Sequence, residues 1–100
     1  MPNTTIEYTK ALSLCPTFVD IRNKLGSTLR DAGDKEGALR EYLACKQQSP
    51  KYVPARVNLG VTYFSLGRKT EARAEWESVL SDEPGNKSAR MYLDISADKR

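Results

Sequence analysis

Shifted against itself by 34 positions, the sequence falls into register without a gap. Val19, Arg22, Leu25, Gly26, Thr28, Gly33, Lys35, Ala38, Glu41 and Pro50 meet Val53, Arg56, Leu59, Gly60, Thr62, Gly67, Lys69, Ala72, Glu75 and Pro84. Tyr42 opposite Trp76, and Leu29 opposite Tyr63, add matched bulk. A period of this size marks a repeat architecture, in which each unit buries its apolar face by stacking on the next. A chain of 100 residues therefore holds a short stack in a single domain.

The roles inside the frame follow from backbone chemistry. Leu25 and Leu29, like Leu59 and Tyr63, recur at i, i+4 and start the apolar stripe of an amphipathic helix. Gly33 and Gly67 end that helix, where the chain turns through a left-handed conformation that costs glycine nothing. A second helical stripe follows: Ala38, Leu39, Tyr42 and Cys45 in one copy, Ala72, Trp76, Val79 and Leu80 in the other. Pro50 and Pro84 stop it, since proline lacks the N–H that would continue the ladder. Each unit is thus a helical hairpin. Gly26 and Gly60 sit inside the first helix, where glycine costs about 1 kcal/mol against alanine. Their recurrence, with Ala38 and Ala72 opposite, predicts a seam where the helices touch and where Tyr42 and Trp76 fill the space alongside.

The spacing Leu25-Gly26, Leu29, Ala38, Tyr42, Pro50 and its copy Leu59-Gly60, Tyr63, Ala72, Trp76, Pro84 resembles the tetratricopeptide repeat, a helix–turn–helix unit of the same length. The bulky tryptophan usual early in the first helix of that family is replaced by Arg22 and Arg56. The resemblance implies an all-α fold, a right-handed solenoid of helical hairpins in an α–α superhelix.

The flanks extend the pattern. Glu7 to Leu12 followed by Pro16 reads as the second helix and terminal proline of a preceding unit, with Ile6, Tyr8 and Leu12 partly uncovered. Lys87 to Lys99 reads as a following first helix and departs from the frame at Asp94, where the close-contact glycine would stand, and at Ala97, which suits an end cap. The reading is one domain: a second helix over 1–18, repeats over 19–52 and 53–86, and a capping helix over 87–100, with about six helices in all. A second helix without its first is expected of a segment cut from a longer protein, the alternative being a short protein whose first helix packs on the next hairpin.

Chemistry is sparse. The chain has no histidine, which removes Ser-His and Cys-His catalysis and the commonest metal ligand. The glycine spacing suits no phosphate loop. Asp31 with Asp34, and Glu71 with Glu75, read as solvated or capping charges. Cys15 and Cys45 lie where a helix places a small apolar residue and read as packed, reduced thiols, a disulfide being the alternative. Asn3-Thr4-Thr5 and Asn86-Lys87-Ser88 match a glycosylation acceptor without a secretory signal to support its use. No catalytic residue, cofactor or metal is expected. No apolar run is long enough for a bilayer, and a cytoplasmic chain is expected. A net charge of +3, spread without a stripe, predicts no nucleic-acid partner.

The remaining candidate site is the groove lined by the first helices. Asn23, Lys24, Ser27, Arg30 and Asp31 are expected on it from the first unit, Val57, Asn58, Val61, Phe64 and Ser65 from the second, then Tyr92 and Ile95. It should be polar and basic at one end and apolar at the other. Members of the family that grip a peptide's terminal carboxylate use Lys/Asn, Asn and Lys/Arg at positions held here by Asn23, Ser27, Asn58, Ser88 and Tyr92. Asn58 alone matches, and the cationic donors are missing. The sequence predicts a noncatalytic scaffold that binds a peptide or partner helix through Val57, Val61 and Phe64, with Asn23 and Asn58 pairing to its backbone. Self-association through uncovered end helices is the alternative.

Overall fold

The computed structural model describes residues 19–97. The helix expected over 1–18, with Cys15 and Pro16, lies outside them. Five helices run through the described residues: α1 (Val19–Asp31), α2 (Lys35–Gln48), α3 (Val53–Ser65), α4 (Lys69–Asp82) and α5 (Lys87–Ser96). Each packs on the next, while α1 also meets α3 and α3 meets α5. Two hairpins, α1–α2 and α3–α4, are stacked in this way, with α5 laid on the second as a further first helix. No strand occurs among the described residues.

The turns are those the glycines predict. Gly33 and Gly67 have φ of 93° and 80°, and no other described residue has positive φ. In the first turn Asp34 N–H donates to Leu29 O at 2.8 Å and Gly33 N–H to Arg30 O at 3.0 Å; in the second, Arg68 N–H donates to Tyr63 O at 2.8 Å and Gly67 N–H to Phe64 O at 3.0 Å. This pair of bonds is the Schellman closure, which satisfies carbonyls the helix end leaves open. Both second helices stop two residues before a proline, at Gln48 and Asp82. Asp34 caps α2 by accepting from Gly37 N–H at 2.9 Å. Asn86 caps α5 by accepting from Ala89 N–H, also at 2.9 Å. The Asn86 side-chain oxygen of the one described glycosylation match is thus spent on a helix start, and its Nδ2 donates to Glu83 Oε1 at 3.1 Å.

The seam is built as expected. A Cβ on Gly26 would stand 2.7 Å from Tyr42 Cε1, and one on Gly60 would stand 2.6 Å from Trp76 Cε2. Ala38 and Ala72 are fully buried beside the rings. One apolar cluster joins Tyr42, Cys45, Ala38, Ala55 and Leu59 across α2 and the second hairpin. A second joins Val57, Trp76 and Val79 to Ala89 and Leu93 of α5. The Cys45 thiol is unpaired and buried, donates to Val19 O at 3.4 Å, and is pushed by burial up to about 11. It packs as a small apolar group.

Glu75 corrects the sequence reading. It is buried rather than solvated, because the polar face of α4 that carries it is where Lys46 and Arg56 converge.

Candidate functional site

The helices α1, α3 and α5 lie side by side, so residues 34 apart form columns across them: Asn23 with Val57, Lys24 with Asn58 and Tyr92, Ser27 with Val61, Arg30 with Phe64. The structure brings part of the expected set together. A cleft of about 310 Å³ opens between α3 and α5, lined by Val53, Pro54, Val57, Asn58, Asn86, Ser88 and Tyr92. Tyr92 is held rigid there by stacking on Trp76, with ring centroids 5.2 Å apart and planes inclined by 17°. Asn58 donates from Nδ2 to Asn23 Oδ1 at 3.1 Å, which ties α3 to α1 beside the cleft.

The other expected residues are placed differently. The Ser27 hydroxyl lies 2.8 Å from the Tyr42 hydroxyl, so it serves the hairpin seam. Arg30 is half-buried near the end of α1. Val57 lies in the core between the second hairpin and α5, although one side of it reaches the cleft. Val61 is half-buried against the same core. Phe64 is exposed, with its ring 6.2 Å from that of Trp76. The run Val57, Val61, Phe64 therefore passes from core to solvent along α3 and does not form one open face. Its upper members are covered because α5 stacks directly on them.

Val53, Pro54 and Asn86 line the cleft without having been expected on the groove. They belong to helix starts and the linker before α5. A reading based on helix faces passes over such positions, though Pro54 near the start of α3 and Asn86 as a cap residue were visible signals.

Residues 55–82 match the family model described as tetratricopeptide repeat. The crystal structure of MamA shares the fold, with a TM-score of 0.59 and 21% identity over 92% of this chain and 74% of that one. The family match thus falls on a single hairpin, α3–α4, as one tetratricopeptide repeat. No curated protein sequence matches it significantly.

Within this tetratricopeptide frame, the arginines that replace the early tryptophan are paired. Arg22 Nη1 meets Glu41 Oε1 at 2.8 Å, and Arg56 Nε meets Glu75 Oε2 at 3.5 Å. Arginine and glutamate recur together at the repeat period, and each pair bridges the two helices of its own hairpin. Arg56 also donates to Asp82 Oδ2 at 2.7 Å, Ser78 Oγ at 2.6 Å and Pro50 O at 3.1 Å. Lys46 of α2 donates to Glu75 Oε1 at 2.8 Å. None of these residues lines the cleft, and the network joins one hairpin to the next. No group of three or more His, Cys, Asp or Glu side chains among the described residues could hold a metal ion. No described helix is long and apolar enough to cross a membrane.

Proposed function

We propose that the chain is a noncatalytic interaction module that holds an extended peptide or partner helix along α1, α3 and α5, anchored in the cleft between α3 and α5. The cleft carries this reading. Its walls combine apolar surface from Val57 and Tyr92 with the Asn58 side-chain oxygen and the Ser88 hydroxyl, while the Asn86 amide is held by its own cap and by Glu83. A bound peptide needs both: apolar contact for a side chain, and hydrogen-bonding groups for the backbone polar atoms that leave water. None of the lining residues is Lys or Arg, so the anchored segment is uncharged and no carboxylate is gripped there. Phe64, exposed further along α3, offers a second apolar contact to a longer ligand.

Selection of displayed peptides against the chain, followed by affinity measurement on variants, tests this reading. Ser88 is exposed on the rim, so Ser88→Trp fills the cleft without touching the core. It should weaken selected peptides by roughly tenfold or more while leaving the melting temperature unchanged. Asn58→Ala should weaken them less. Peptides that bind Ser88→Trp as tightly as the parent chain place the binding surface elsewhere.

A further inference from the structure

Tyr92 lines the cleft between α3 and α5 and lies on Trp76, with ring centroids 5.2 Å apart. The inner ring of that stack is fixed: Trp76 is buried, and its indole N–H is bound to Val57 O at 3.1 Å. One face of Tyr92 is thereby used. Tyr92 as a whole is half-buried, so the outward face of its ring is what α5 presents to the cleft. On the α3 side the wall is Val53, Val57 and the exposed ring of Pro54.

The polar groups of the cleft narrow what can fill it. Asn58 gives its Nδ2 to Asn23 Oδ1 at 3.1 Å, and its own Oδ1 has no donor among the described residues. A side chain that covered this oxygen without supplying a donor would strand an acceptor away from water. Proline and aliphatic chains are disfavoured on that ground. A cation is disfavoured as well, because no Asp or Glu lines the cleft and the positive ends of both α3 and α5 face it. A carboxylate finds no cation there, and the Asn86 cap already occupies the start of α5. What remains is a neutral side chain with a flat apolar body and one donor. Size agrees: a cavity of about 150 Å³ is enough for benzene, so a cleft of about 310 Å³ has room for an indole or a phenol.

We propose that the cleft is the anchor site for a tryptophan or tyrosine side chain of the bound peptide. Its ring lies on the outward face of Tyr92 as the third ring of a stack with Trp76, and its N–H or O–H donates to Asn58 Oδ1. Offset stacking and a partner for the polar tip are what such side chains require on burial. The inference rests on the peptide-binding reading of the cleft and specifies the residue that the cleft selects.

Blocked amino-acid amides titrated into the isotope-labelled chain, followed through the resonances of Asn58, Ser88 and Tyr92, test the anchor. N-acetyl-tryptophanamide and N-acetyl-tyrosinamide should shift these resonances. N-acetyl-phenylalaninamide, which lacks the side-chain donor, should bind roughly fivefold more weakly than the tryptophan amide. N-acetyl-leucinamide should be weaker by roughly tenfold or more. In Asn58→Ala the tryptophan amide should fall to the affinity of the phenylalanine amide, whereas Asn58→Asp keeps an acceptor and should keep the preference. Tyr92→Leu should weaken every aromatic amide, and Tyr92→Phe, which preserves the stack, should not. Melting curves accompany each variant. Equal binding of the tryptophan amide and either the phenylalanine or the leucine amide overturns the anchor. So does a tryptophan preference that survives Asn58→Ala, or the absence of any shift at the cleft at the limit of solubility. Each of these outcomes leaves the peptide-binding reading standing if selected peptides still lose affinity in Ser88→Trp. Peptides indifferent to Ser88→Trp overturn both.

Discussion

In the first hairpin Tyr42 fills the space left by Gly26, and its hydroxyl ends on Ser27. In the second, Trp76 fills the space left by Gly60, and its indole N–H reaches the Val57 carbonyl at 3.1 Å. The two rings occupy one frame position and solve one problem, a buried polar atom that needs a partner. The ion pairs differ more. Arg22 and Glu41 are 17% and 22% exposed, whereas Arg56 and Glu75 are 3% and 6% exposed. The positions where Arg56 finds Ser78 and Asp82 hold Ala44 and Gln48 in the first hairpin, which offer no hydroxyl and no charge. Identical residues in an identical frame thus carry different energetic weight, because burial comes from neighbours and not from the frame. The second hairpin has α2 on one side and α5 on the other.

That contrast can be broken at several points. The largest effect is expected from Gly60→Leu. A branched side chain cannot stand where even a Cβ meets the Trp76 ring, and the variant should lose about 3 kcal/mol or unfold the second hairpin. A melting temperature equal to that of the parent would contradict the tight seam. Next come the arginines. Arg56→Met strands Glu75 with Lys46 as its remaining cation and should cost about 2–3 kcal/mol, while Arg22→Met, at the more exposed pair, should cost less. Equal losses in urea unfolding would show that burial does not set the difference.

Two smaller effects sharpen the comparison. Tyr42→Phe keeps the ring and removes the bond to Ser27, so a loss of about 1 kcal/mol is expected. Ser27→Ala in the Tyr42→Phe background should then add little, since the pair has already been broken. The smallest effect concerns acid. The hydrogen bond from Arg56 holds the Asp82 carboxyl below its ordinary range. A group whose folded value is depressed contributes stability that is fully present above its unfolded value and is lost as pH falls through the folded one. Stability should therefore decline below the ordinary carboxylate range. Asp82→Asn should flatten that decline, and no such change should follow Gln48→Glu in the first hairpin, where the equivalent arginine lies in a more open site.

Much of the architecture was legible in the residues because it depends on local backbone chemistry. Gly33 and Gly67 supplied the left-handed turns, Pro50 and Pro84 lay just past the helix ends, and Gly26 and Gly60 marked the slots for the rings. The candidate site was legible only in part. Asn58, Val57 and Tyr92 meet at one cleft, but the cleft also takes Val53, Pro54 and Asn86 from helix starts, and Ser27 turns to the seam instead.

The sequence by itself determined the period, the turns and the pairing of small residue with aromatic ring. Each of these follows from φ preference, a missing N–H or a side-chain volume that every copy shares. The tertiary structure alone decided which repeated residues are buried. Glu75 looks like a solvated charge on α4 until Arg56 and Lys46 close over it, and Val57 looks like an open groove residue until α5 stacks on it. Met91 and Ile95 occupy the same arc on α5 and remain exposed. The physical reason is that burial in a stack is a property of the interface between units. A frame position records which way a side chain points along its own helix, and only the neighbouring helix determines whether water is there to meet it.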